Sequence, residues 1–229
     1  MHPAARGFES NRLGTDAAGS DVITELRGRF RAALIDREGT PPATFPARML
    51  EKTPKNSLRV PFLARVFPEA QFVFLYREPR QVLASMIEAW QSGRFRTYPN
   101  LPDWPGAPWS LLLTPGWRTL AGKPLHEIVA AQWQATTELL LDDLSALSAD
   151  RVHVIRYDKL LADPQGEIER LCAAVGFVWD RPLDANLPLS RYTVSQPNPD
   201  KWRRHESEIN AVLPQLAQTI ARAERFVAR

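Results

Sequence analysis

The run Phe72-Val-Phe-Leu-Tyr76-Arg77-Glu78-Pro79-Arg80-Gln81, continuing through Ser85 to Ile87, constrains this chain more than any other stretch. Five consecutive apolar or aromatic residues, 72–76, have the length and the β-branched and aromatic character of a buried strand. Pro79 stands where helices favour proline, at the first position, so a helix opens there after a two-residue turn. Arg77 lies at the seam. A strand that turns directly into a helix is a place where α/β proteins bind phosphate, because unpaired backbone N–H groups and the helix dipole favour an anion. A guanidinium at the seam adds a two-pronged donor for the same anion. On the helix, Val82, Leu83, Met86, Ile87 and Trp90 form one apolar stripe at about 100° per residue. Ser85 falls off that stripe, on the side of Glu78 and Gln81, and can offer its hydroxyl beside the helix entrance.

The 229 residues suffice for one sizeable core, and a single domain over 1–229 is expected. Apolar content of 44% and charged content of 24% are those of an ordinary globular chain. No apolar run reaches membrane-spanning length, and the first residues lack the apolar stretch of a signal peptide. Cys172 is the single cysteine, which rules out an internal disulfide and a cysteine metal cluster and suits a reducing cytoplasm. A formal net charge of +3 fits an anionic ligand without demanding nucleic acid. The four histidines have no metal-pair spacing on one helix, and no metal site is expected.

Residues 1–19 are polar and Gly/Ala-rich and read as poorly ordered unless something packs over them. Helices are expected over 20–37, 57–67, 79–92, 124–148, 163–176 and 206–226, and strands over 47–50, 72–76 and 152–157. Residues 93–123 form a long irregular stretch holding Tyr98, Trp104, Trp109 and Trp117. Strands alternating with helices indicate an α/β fold with an open, mainly parallel sheet flanked by helices. Such sheets bind ligands at the carboxyl ends of their strands, and Arg77 and Tyr157 both fall just past such ends.

The 72–87 run resembles the segment of the sulfotransferases in which a strand, Arg-Asp-Pro-Arg and a later Ser hold a 3′-phosphate. Glu78 replaces the Asp. The resemblance implies that Arg77 and Ser85 grip the 3′-phosphate of 3′-phosphoadenosine 5′-phosphosulfate (PAPS). Three more segments, in the same order, resemble that family. Glu51-Lys52-Thr53-Pro54-Lys55-Asn56 is similar to its Lys-Thr-Pro segment, which implies that Lys52 stabilises the charge developing on the transferred group. Lys55 is a weaker candidate for the same work, and Asn56, standing where relatives carry His, cannot act as a base. Arg156-Tyr157-Asp158, followed by a helix ending at Gly176, resembles the Tyr-Glu-Asp-Leu segment and implies that Tyr157 lies against the adenine. Lys201-Trp202-Arg203-Arg204 resembles the late basic segment that closes over the nucleotide, which implies a place for Lys201 near the 3′-phosphate.

The implied fold is of the P-loop-NTPase type. The implied reaction moves a sulfuryl group from PAPS to a hydroxyl or amine of a small-molecule or carrier-bound acceptor, releasing adenosine 3′,5′-bisphosphate. Neither nucleic acid nor a membrane is an expected partner. The family's opening strand and Gly/Ser/Thr-rich phosphate loop have no counterpart before Glu51, so the first βα unit is expected to be missing. Open strand edges, an uncovered apolar surface and weak or absent transfer would follow. No residue stands out as the catalytic base. Two other readings stay open on sequence: a non-catalytic protein that binds 3′-phosphoadenosine nucleotides or docks a partner, and a P-loop kinase relative. The kinase reading is weakened because no Gly-X-X-X-X-Gly-Lys-Ser/Thr occurs. By resemblance the aromatic stretch 93–123 shapes the acceptor pocket, and its rings can equally pin the loop to the body.

Overall fold

The strand–turn–helix seam forms where the sequence places it. In the computed structural model, which describes residues 7–36, 38–43, 47–183, 187–191, 193–196 and 198–229, the first elements are helix α1 (Ser20–Ala33) and helix α2 (Val60–Val66). Strand β1 (Phe72–Tyr76), helix α3 (Pro79–Ser92) and the short strands β2 (Arg96–Tyr98) and β3 (Trp109–Ser110) follow. The long helix α4 (Leu125–Ser145), strand β4 (Val152–Arg156), helices α5 (Tyr157–Ala162) and α6 (Pro164–Ala174), and the terminal helix α7 (Glu206–Val227) complete the order.

β1 and β4 pair in parallel with Phe72 opposite Val152 and Tyr76 opposite Arg156. The crossover between them carries α3, the hairpin β2–β3 and α4. Helices flank this pair, so the fold is mixed α/β with a parallel sheet. Among the described residues that sheet has two strands.

Its two faces are treated differently. Phe72, Phe74 and Tyr76 pack with Leu141, Leu144 of α4 and Ala223, Phe226 of α7. Val73 and Leu75 point the other way and are 42% and 49% exposed. The expectation of a buried strand is therefore met on one face only. A run of five apolar residues states that a strand forms, but not which of its faces finds a neighbour. On the same side of β4, Ile155 is buried while its partner Leu75 remains open.

Most of the core lies elsewhere, where α3, α4 and α7 meet the 93–123 stretch. Trp109, Trp117 and Leu113 are fully buried there, beside Trp90 and Trp133. Three of these indoles find an acceptor: Trp109 Nε1 donates to Leu112 O at 2.9 Å, Trp117 Nε1 to Phe8 O at 2.9 Å, and Trp90 Nε1 to Gln132 Oε1 at 2.9 Å. Gln132 donates onward to the carbonyls of Ser110 and Leu112. These aromatics pin the loop to the body.

Residues 7–19 do have something to pack on. Leu13, Ala17 and Ala18 are buried against Phe62 and Val66 of α2. Asn11 exchanges hydrogen bonds with the backbone of Leu113 and donates to Tyr98 Oη at 2.6 Å. Arg12 makes a two-pronged ion pair with Asp143.

The strand expected over 47–50 does not form. Arg48 instead reaches the carbonyls of Val175 and Gly176 at 3.2 and 3.0 Å and lies 4.4 Å over the Phe177 ring, leaving Leu50 exposed. α1 stops at Ala33, short of 37, because Asp36 accepts the backbone amides of Glu38 and Thr40 and folds a turn. No described helix is long and apolar enough to cross a membrane.

Candidate functional site

The parallel register decides what shares the rim. Because Tyr76 sits opposite Arg156, the next residue of each chain, Arg77 and Tyr157, leaves the sheet at the same end. The Arg77 guanidinium carbon lies 5.0 Å over the Tyr157 ring. Arg77 Nε donates to Gln81 Oε1 at 3.1 Å, and its Nη1 to Ser85 Oγ at 3.3 Å. Residues 77, 81 and 85 thus form one polar line along α3, while Leu83, Ala84 and Ile87 fill the buried side. Three residues singled out from sequence, Arg77, Ser85 and Tyr157, are brought together within one half-buried cluster.

The helix entrance itself is occupied. The Glu78 carboxylate caps α3, accepting from Arg80 N at 3.1 Å and Gln81 N at 3.0 Å. The free N–H groups expected to meet an anion at this turn are therefore already satisfied by the chain. Side chains, led by Arg77, remain to receive one.

Lys201 sits one turn further along α3. It belongs to a short 3-10 turn, Lys201–His205, which runs directly into α7 and packs on α3. Lys201 Nζ is 2.5 Å from Glu88 Oε2, and the two side chains are only 14% and 12% exposed. Glu88 also accepts from Ser195 Oγ at 3.0 Å. Arg80 and Arg203 each lie 5.1 Å from the centre of the Trp202 ring. Burial alone would raise the Glu88 pKa, but the hydrogen bonds from Lys201 and Ser195, with the charges of Lys201 and Arg204, hold it below the ordinary range. Lys201 is thus close to the Ser85 face, with its charge engaged by a carboxylate. Glu88 was missed from sequence because a single acidic residue on a helix face carries no signature.

Lys52 stands apart. It is exposed on the turn before the 3-10 segment Pro54–Leu58 and makes no hydrogen bond or ion pair with a described residue. Its neighbour Glu51 accepts from Thr53 Oγ1 at 2.5 Å and from the Asn56 amide, which folds the turn back on the 3-10 segment. Among the described residues no His/Cys/Asp/Glu group could hold a metal ion. A groove of about 600 Å³ runs along the outer edge of β4, lined by Val152, Val154, Arg156, Lys159, Arg170 and Phe226 among others, and none of the five candidate residues lines it.

Comparison with known proteins gives matches to a family profile, to a protein sequence and to a solved structure. A family profile described as "Sulfotransferase family" matches residues 5–181. The "Nodulation protein NoeE" of Sinorhizobium fredii (strain NBRC 101917 / NGR234) is 27% identical over 137 residues, which are 56% of this chain and 28% of that protein. Among solved structures, the "Sulfotransferase Domain from the Curacin Biosynthetic Pathway" matches with a TM-score of 0.44 at 18% identity, over 76% of this chain and 63% of that one. The chain therefore spans less than a third of the length of the nodulation protein.

Proposed function

This chain belongs to the sulfotransferase family, and on that premise we propose that it holds PAPS, or its product adenosine 3′,5′-bisphosphate, at the carboxyl rim of β1 and β4. The observation that carries this reading is the meeting of Arg77, Ser85 and Tyr157 on that rim. A 3′-phosphate fits the Arg77–Ser85 pair, where a guanidinium and a hydroxyl already lie in contact and would turn together toward an anion. The Tyr157 face fits a purine, since an aromatic ring stacks on a base without demanding a sequence. Lys201 would reach the same phosphate only by exchanging the Glu88 carboxylate for it.

Lys52 is the group proposed to act on the transferred sulfuryl. An exposed ammonium with no carboxylate partner among the described residues can follow the charge that develops on the sulfuryl oxygens and the leaving phosphate. The acceptor is proposed to be a small molecule or a carrier-bound group presenting a hydroxyl or amine. The buried indoles of 93–123 offer it no ring surface, because they are spent on the core. Neither a binding-only role nor a kinase relationship is favoured by the matches.

Photolabelling tests the reading. A photoreactive 8-azido derivative of adenosine 3′,5′-bisphosphate should label the peptide containing Tyr157. Unlabelled bisphosphate should suppress that labelling at lower concentration than 5′-AMP. Labelling scattered over the surface, or equal protection by the two nucleotides, would contradict it.

A further inference from the structure

A pair of cations lies beside the Lys52 turn without an ion-pair partner among the described residues. Lys55 and Arg59 flank the 3-10 segment Pro54–Leu58, and both are half-buried. Among the described residues neither has a carboxylate within ion-pair distance. Lys55 Nζ lies 5.8 Å from the centre of the Tyr98 ring. Arg59 uses its Nε on the Asn11 carbonyl at 3.2 Å, and its terminal nitrogens donate to no described residue. Glu51, whose carboxylate accepts from Thr53 and Asn56, acts on Arg59 only through space, and no described acidic group acts on Lys55 in this way.

The floor beneath these cations is rigid. Asn11 is almost wholly buried, bonded to Tyr98 Oη and to both backbone groups of Leu113. Tyr98 in turn meets the Phe8 ring edge-on at 6.4 Å. Half-burying two like charges side by side costs free energy unless an anion joins them. Burial, and then the charge of Arg59, accordingly lower the Lys55 pKa.

We infer that Lys55 and Arg59 form an anion subsite for the acceptor, so that the acceptor carries a carboxylate, sulfate or phosphate near the group that receives the sulfuryl. This rests on the sulfotransferase reading for the word acceptor, since the Glu51–Asn56 bond folds the Lys52 turn onto the segment that carries Lys55. The anion site itself rests only on the geometry of Lys55, Arg59, Asn11 and Tyr98.

The test is a titration of the full chain with inorganic sulfate, followed by NMR of the Lys55 side chain and the Asn11 and Tyr98 amides. Adenosine 3′,5′-bisphosphate is present at high concentration to occupy the Arg77 rim. Saturable shifts are expected at Lys55 and at the Asn11 and Tyr98 amides, and the two amides carry the readout in the Lys55 variants. Lys55→Gln should weaken them by about tenfold or more, the effect of removing one charged hydrogen-bond partner. Lys55→Arg should retain them, and Arg77→Ala should leave them unchanged. The Lys55 variants carry the test, because Arg59 also supports Asn11 and its loss could disturb folding. Shifts that do not saturate, or that survive Lys55→Gln, would overturn the subsite. Failure of the nucleotide reading shows separately, as absence of bisphosphate shifts at Arg77 while the sulfate shifts at Lys55 persist.

Discussion

At the scale of residues, the rim works through partners that a phosphate would have to replace or recruit. Ser85 contributes one neutral hydroxyl, so Ser85→Ala should weaken adenosine 3′,5′-bisphosphate binding by about three- to tenfold, the range of an ordinary hydrogen bond. A loss above a hundredfold in an equilibrium binding assay would mean that Ser85 also shapes α3. Glu88 is a positioning residue: it holds Lys201 and Ser195, and through them the turn that enters α7. Glu88→Gln should cost about 1–3 kcal/mol of stability in urea unfolding at neutral pH. The sign with pH is set by its lowered pKa. The stabilisation is fully present above the ordinary range of a glutamate and is lost as the pH falls through the folded-state value. The two proteins should therefore converge in strongly acidic buffer. A gap that persists unchanged at low pH would show that packing, not the charge of Glu88, holds the turn. The Arg77–Ser85 pairing was implied by the family resemblance, while helical spacing set Ser85 off the apolar stripe, on the Gln81 side of α3. Glu88 and Arg59 were not legible, since their partners Lys201 and Asn11 are far away in sequence.

At the scale of elements, the seam between β1 and α3 was legible because two local signals agree there, an apolar run and a proline at the helix start; the Glu78 cap showed only in the fold. The 47–50 segment had only the run. No neighbouring strand takes it up, and Arg48 ties it to the end of α6 instead. The two faces of β1 became distinct only in the fold, where Phe74 meets Phe226 at 6.1 Å while Val73 and Leu75 stay open. β1 also carries a titration signature. Burial, reinforced by the charge of Glu224, pushes the Tyr76 phenol up to about 12 from 10.0. Below the ordinary pKa both folded and unfolded chains keep the proton, so the contribution is intact. As the pH rises towards the folded-state value the unfolded chain ionises first, and up to about 2–3 kcal/mol of stability is lost. Tyr76→Phe should flatten the fall of Tm in alkaline buffer. An equally steep fall in the variant would assign the loss to other groups.

At the scale of the whole molecule, the segment before α1 closes the aromatic core. Asn11, Arg12 and Leu13 reach Tyr98, Asp143 and α2 respectively, three places that are distant in sequence. Composition showed a polar stretch here and could not show the long-range partners. Arg12→Met leaves the buried Asp143 carboxylate without its cation and should cost about 3 kcal/mol in chemical denaturation. Replacing both Arg12 and Asp143 by apolar residues should recover much of that loss, and a double variant no more stable than the single one would contradict the ion-pair account. The larger claim is that this sulfotransferase-family chain holds a 3′-phosphoadenosine nucleotide where the ends of β1 and β4 meet. Calorimetry with adenosine 3′,5′-bisphosphate and with 5′-AMP, on the chain and on Arg77→Ala, tests it most directly. The account predicts tighter binding of the bisphosphate by about ten- to hundredfold, the worth of one charge-assisted contact, and predicts that Arg77→Ala removes that margin. Equal affinity for the two nucleotides, or binding of neither, would contradict it.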